Sequence, residues 1–179
     1  VRLISPEEAK KIDPARILPI PARFVRTNKA KEGEQLQAKS RMVVPGHLAP
    51  KENVRTDAPV APQYALHILL SMAANLDWGL GTFDVADAFL SGKVNGRKLY
   101  VRPPREGIRG VPAGALIELV KGVFGLKESP RLWWLQLRDA VLEAGFREIP
   151  ACPGMFSFHD EAGHLSGLLC VHVDDGLWA

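Results

Sequence analysis

Apolar positions along this chain change their period several times, and each change marks an element. Between Gln63 and Leu76, the residues Ala65, Ile68, Leu69, Met72, Ala73 and Leu76 follow helical spacing. That spacing predicts a helix with all of these side chains turned to a core. Trp133, Trp134, Leu137, Val141 and Leu142 form a second stripe of the same kind. Ser129 is a natural N-cap for it, Pro130 fits the first helical position, and Gly145 suits a terminator after about Glu143. Elsewhere the pattern is that of strands. Ala22–Asn28 and Leu36–Val44 predict two, joined by the polar connection Lys31-Glu32-Gly33-Glu34. Lys98–Arg102 and Ala115–Val120 predict two more, and Met155–Phe158 pairs with Leu165–Val173 across an Asp160–Gly163 turn. Residues 1–21, punctuated by Pro6, Pro14, Pro19 and Pro21, are expected to be an irregular approach to one larger unit over 22–179. Pro45–Pro62 reads as loop. Helices interleaved with hairpins imply an α+β domain, an antiparallel sheet backed by helices.

Candidate chemistry lies at two strand ends. Gly81-Thr82-Phe83-Asp84 opens as a short apolar run carrying a carboxylate, and a helix-like turn follows to Gly92. If the strand is buried, Asp84 needs a partner there, most often a cation, because an unpaired buried ion is costly. Asp174 and Asp175 stand in a comparable setting, Leu168 to Trp178, where a strand, a tight turn and another strand would put them at a hairpin tip. Three aspartates on two strand ends form a candidate site for a divalent metal. Lys39 and Arg41, two apart on a predicted strand, share a face. Either they are a solvated strand face, or they are cations aimed at phosphates, for which the arginine fork is suited.

Composition narrows the setting. With 46% hydrophobic and 24% charged residues, the 179-residue chain has the means to bury a core. No apolar run approaches the roughly 18 residues a membrane span needs. Cys152 and Cys170 alone make neither a disulfide framework nor a zinc site. Residues 1–50 hold ten Lys and Arg against five Asp and Glu, a local balance of 10 − 5 = +5. A basic amino-terminal third beside an acidic cluster suits a polyanionic partner held with metal. The chain also stops three residues after Gly176, so it is expected to be a piece of something larger.

Four stretches together resemble the reverse transcriptase of copia-type LTR retrotransposons. Phe83-Asp84-Val85-Ala86-Asp87-Ala88-Phe89-Leu90-Ser91-Gly92 looks like the family's D-V-x-x-A-F-L-x-G block. Phe124-Gly125-Leu126-Lys127-Glu128-Ser129-Pro130-Arg131-Leu132-Trp133 is similar to its Y-G-L-K-Q-x-P-R-x-W block. Val171-His172-Val173-Asp174-Asp175 matches its Y-V-D-D hairpin except at the tyrosine, and Lys39-Ser40-Arg41-Met42-Val43 resembles its K-A-R-L-V strand. The resemblance implies a right-hand polymerase cut off before its thumb, with fingers from the amino-terminal hairpin and a palm carrying the aspartates. It implies an RNA-directed DNA polymerase in which Asp84, Asp174 and Asp175 are catalytic and hold two Mg²⁺ ions. It likewise implies that Lys39, Arg41, Phe89 and Phe124 bind the deoxynucleoside triphosphate, with Phe89 excluding a ribose 2′-hydroxyl. Gly125, Lys127, Pro130 and Arg131 would contact an RNA or DNA template-primer. The remainder of a Pol polyprotein is the implied partner, with no membrane, inside the cell in a virus-like particle or the nucleus. Two departures stand out: His172 replaces the tyrosine, and Glu128 replaces a glutamine and puts a negative charge near the nucleic-acid path. The alternative is a non-catalytic nucleic-acid-binding remnant of such an element, whose binding is salt-sensitive and indifferent to magnesium.

Overall fold

A computed structural model describes residues 1–31, 33, 35–50 and 52–179. In chain order it holds β1 (Arg2–Ile4), α1 (Pro6–Ala9), β2 (Arg23–Asn28), β3 (Ala38–Val43), α2 (Gln63–Leu76), β4 (Gly81–Asp84) and α3 (Ala88–Ser91). There follow β5 (Tyr100–Val101), β6 (Leu116–Glu118), α4 (Ser129–Glu143), β7 (Arg147–Glu148), β8 (Met155–His159), β9 (Leu165–His172) and β10 (Asp175–Trp178). The class is mixed, with antiparallel sheets and helices, as the alternating periods predict. Most expected elements are present within two residues of their bounds, and α2 matches at both ends. Of the expected connection after β2, Glu32 and Glu34 lie outside the described residues.

The chain divides into two compact units. One comprises Val1–Thr56 with Lys93–Leu132, the other Asp57–Gly92 with Trp133–Ala179. The first contains the three-stranded sheet β1-β6-β5 and the separate hairpin β2-β3. Its core gathers Leu18, Ala22, Val44, Leu99, Val101, Ile117, Leu119, Val123 and Leu126. Residues 1–20 are more regular than their prolines suggest. Ser5 and Glu8 close a capping box on α1, and β1 pairs with β6 with Leu3 opposite Ile117. Proline at the first helical position is tolerated, so punctuation there begins a helix rather than preventing one.

The second unit is a five-stranded antiparallel sheet in the order β4-β10-β9-β8-β7. Successive residues of a strand point to opposite faces, and β9 uses both. Leu169 and Val171 join a cluster with Trp133, Trp134, Leu137 and Val141 of α4. Leu168 and Cys170 join another with Ala65 and Leu69 of α2. The two helices therefore cover opposite faces. The helical stripe on α2 is narrower than its sequence predicts. Ala65, Leu69 and Ala73 are buried and Met72 is half-buried, but Ile68 and Leu76 are 45% and 51% exposed. A helix resting on a sheet through alanines covers little beyond its line of contact.

At the β4 edge, register is set by aromatic rings lying over glycines. Gly176 pairs with Phe83, and Gly81 pairs with Trp178. A Cβ on Gly176 would collide with the Phe83 ring, and one on Gly81 with the Trp178 indole. Both contacts fall on the face that packs against α4.

Candidate active site

The second unit brings the three aspartates to one corner. Asp84 ends β4, Asp175 begins β10, and the two are paired in register. The Val85 N–H donates to the Asp174 carbonyl at 2.9 Å. That bond makes Val85–Asp174 a hydrogen-bonded pair, and the alternation of an antiparallel ladder makes Asp84–Asp175 the adjacent closer kind, with Cα atoms about 4.5 Å apart. Their side chains project to the face covered by α2, as does His172, the residue opposite Asp175 on β9. Beneath them a pocket of about 500 Å³ is walled by Ala61, Leu66, Cys170 and Leu177. Here one expectation is corrected. Asp84 and Asp175 are exposed and Asp174 is half-buried, because β4 is an edge strand and the hairpin tip reaches water. Hydration, not an obligatory buried cation, accounts for the charge on Asp84. What remains unfavourable is two like charges directly opposed across strands.

The aspartate hairpin is strained. Val173 and Asp174 form its two-residue turn between His172 and Asp175. Val173 has φ +59 while Asp174 stays out of the left-handed region, the φ pattern of a type II′ turn. Glycine is the usual residue there. A β-branched side chain at positive φ costs of order 1–3 kcal/mol and persists only where its surroundings impose it. Both turn carbonyls are held from outside: Asp174 by the Val85 N–H at 2.9 Å, Val173 by the indole N–H of Trp133 at 2.6 Å. Trp133 reads from the sequence as core, and it is 5% exposed. A buried indole must also place its N–H, which was the available signal for its second contact.

Phe89, on α3, is half-buried and packs against the cluster that contains Trp133 and Val171. Asp87, just before it, has φ +51. The core and the sugar-facing readings of Phe89 both accommodate this position.

The remaining candidates belong to the first unit. Lys39 and Arg41 share a face of β3, opposite Thr27 and Val25. The Arg41 guanidinium lies over the Phe124 ring, 5.4 Å from its centroid. Its Nε is buried with no hydrogen-bond partner among the described residues. The two motifs are joined through backbone. The Val44 N–H donates to the Phe124 carbonyl at 2.8 Å, and Val43 bridges Phe124 in parallel. This approach requires glycine at 125: its φ is +91, and a Cβ would collide with the Val44 carbonyl oxygen. Beyond it, Lys127 is exposed and Pro130 and Arg131 are half-buried.

Two expectations about this turn are corrected. Ser129 is the first residue of α4, and its Oγ is committed to Val123, accepting from the N–H at 2.8 Å and donating to the carbonyl at 2.7 Å. Glu128 presents no charge to solvent. It is 2% exposed and accepts from Arg97 Nε at 2.6 Å, while Arg97 Nη1 donates to the Pro50 carbonyl at 3.0 Å. Burial without a cation would be prohibitive, so the pair is what permits glutamate there. Nothing in the pattern around Arg97 marks it as that partner.

The donors at the aspartate corner, exposed carboxylate oxygens set opposite one another, suit a hard divalent cation such as Mg²⁺. Among the described residues no three His, Cys, Asp or Glu side chains are gathered closely enough to hold a metal. No helix among the described residues is long and apolar enough to cross a membrane.

A family model described as "Reverse transcriptase (RNA-dependent DNA polymerase)" matches residues 11–179. The Pol polyprotein of transposon RE1 from Arabidopsis thaliana is 27% identical over 165 residues, covering 90% of this chain and 11% of that protein. That of transposon TNT 1-94 from Nicotiana tabacum is 29% identical over 143 residues, 78% of this chain and 10% of its own length. A truncated Ty1-A Gag-Pol polyprotein from Saccharomyces cerevisiae is 27% identical over 172 residues, 94% of this chain and 13% of its own. The chain thus spans about a tenth of the length of the curated relatives it matches. No solved structure matches it.

Proposed function

Because this chain belongs to the reverse transcriptase (RNA-dependent DNA polymerase) family of retrotransposon Pol polyproteins, we propose that it supplies the fingers and palm of an RNA-directed DNA polymerase of the copia type. The single observation that carries the reading is the pairing of Asp84 with Asp175, beside a turn that ends in Asp174. The five-stranded unit is the palm. The unit with β2, β3 and the Phe124–Arg131 turn is the fingers, and the polymerase part is taken to span 22–179, with the 1–21 approach folded into the same unit through β1.

Asp84, Asp174 and Asp175, drawn closer together than their side chains stand here, would hold two Mg²⁺ ions, which would supply charge neutralisation at the primer 3′-hydroxyl and at the pyrophosphate leaving group. The rest is the work of side chains. Asp84 and Asp175, exposed at the strand ends, keep the oxygens that would accept such ions open to a nucleotide, and the half-buried Asp174 stands in the turn beside them. Lys39 contributes a point charge and Arg41 a planar fork for triphosphate oxygens. The Phe124 ring restrains that fork, lowering the entropy lost on binding. Gly125, Lys127, Pro130 and Arg131 lie against template and primer, Lys127 offering its exposed charge to backbone phosphate. Phe89 stands under the sugar.

The test is primer extension by a Pol polypeptide that carries this chain. Magnesium-dependent deoxynucleotide addition that Asp175→Asn abolishes supports the reading. Salt-sensitive nucleic-acid binding with no extension at any magnesium concentration overturns it in favour of a binding remnant.

A further inference from the structure

We propose that Trp133 is a positioning residue: its indole N–H locks the middle peptide of the aspartate turn and thereby sets the aim of Asp174. The inference rests on the polymerase reading for its purpose but on the turn alone for its physics.

Type I′ and II′ turns differ by a flip of the peptide between the two central residues. Here that peptide joins Val173 to Asp174, and its carbonyl is the one that accepts the Trp133 N–H at 2.6 Å. Flipping it would break that bond and carry Asp174 to positive φ, which changes the rotamers open to its side chain. The flip is a real alternative because the sequence does not favour the observed turn. Type II′ calls for glycine at its first central position, and Val173 stands there at φ +59. No local preference of valine selects this conformation, so something outside the turn must. The neighbouring carbonyl is fixed by Val85 on the Asp84 strand, and Trp133 fixes the other from a helix whose ring is buried among Phe156, Leu169 and Val171. A bond between a buried, immobile ring and a hairpin tip costs little entropy to maintain. Trp133 therefore links the face of the sheet packed on α4 to the carboxylates carried on its rim.

The experiment is a double-mutant cycle on the 179-residue chain. Glycine at 173 prefers the II′ turn by itself, so Val173→Gly makes the lock redundant. Trp133→Phe removes the N–H and some ring volume; β-(3-benzothienyl)alanine at 133 removes the N–H and keeps the shape. Either change is expected to lower Tm by about 3 °C more in the Val173 background than in the Val173→Gly background, the shift expected for one net hydrogen bond in a domain of this size. A core role predicts equal losses in both. Mn²⁺ binding, followed by electron paramagnetic resonance, is expected to weaken by about 5-fold in Trp133→Phe and to recover within about 2-fold in the double variant, a 5-fold change being worth about 1 kcal/mol. Equal thermal losses overturn the lock whatever the metal does. Thermal coupling with a wild type that takes up no Mn²⁺ upholds the lock and removes the metal reading instead. Thermal coupling with Mn²⁺ affinity unmoved by Trp133→Phe overturns the aiming of Asp174.

Discussion

Asp84 and Asp175 face each other across β4 and β10 with like charges. The arrangement is worse for stability than a single carboxylate and better for binding a dication. Asp84→Asn should therefore raise Tm by up to about 3 °C in EDTA, as one of two opposed charges is removed. Primer extension by a Pol polypeptide carrying the substitution should fall about 10³-fold or more, a loss of about 4 kcal/mol in the transition state. A variant that melts lower in EDTA yet still extends primers would contradict both halves.

The buried pair Arg97–Glu128 predicts an asymmetry. Removing one partner strands the other, so Glu128→Leu should destabilise the chain by about 3–5 kcal/mol. Arg97→Met together with Glu128→Leu should cost clearly less than the sum of the single changes. Urea titrations of the single and double variants decide it, with additivity counting against the pairing.

Arg41→Lys keeps the charge while losing the fork and the planar stack on Phe124. Nucleotide KM in an active Pol polypeptide should rise by about 5-fold, roughly 1 kcal/mol, with kcat nearly constant. An unchanged KM returns Arg41 to the role of a packing cation.

For Phe89, the ratio of kcat/KM between deoxyribo- and ribonucleotides distinguishes gate from core. Phe89→Ala should raise ribonucleotide use by about 10-fold or more if the ring excludes the 2′-hydroxyl, since that corresponds to a clash above about 1.4 kcal/mol. A core ring predicts a lower Tm and both sugars falling together.

Burial, with the neighbouring Cys152 adding to it, pushes the Cys170 thiol up to about 11 from an ordinary 9.0. The unfolded chain releases this proton near the ordinary value and the folded chain holds it longer. The thiol's contribution is thus complete below about pH 9 and is lost as pH rises through about 11. Urea midpoints should fall more steeply between pH 8 and pH 10 in the wild type than in Cys170→Ala, and parallel slopes would dismiss the effect.

Much of this architecture was legible because it rests on local rules. α2 follows from its period, α4 from period and terminator, and β8–β9 from two apolar runs around a polar turn. The family resemblance likewise survived the comparisons. What escaped was set by distant partners. The sequence places Glu128 in a motif, but only a contact 31 positions away shows it to be neutralised. Asp84 looked buried because Phe83 and Val85 flank it; that β4 is a sheet edge is a property of strand order, which no period encodes. Trp133 was visible as bulk, while its N–H acts on a carbonyl 40 positions on. The same hairpin that two aspartates identify gave no warning of its valine at positive φ, although a two-residue loop demands such an angle.

The rings over Gly81 and Gly176 act as a vernier for the aspartates. Sliding β4 by one residue along β10 would turn Asp84 to the opposite face; sliding it by two would drive Phe83 against Trp178 or away from the glycine that lies under it. Alignment to within a fraction of one residue is thereby stored in two positions that carry no functional group at all. A methyl group added at either one is a lesion of the carboxylate pair delivered from its far side, and mutational surveys that score only polar residues near the aspartates will pass over it.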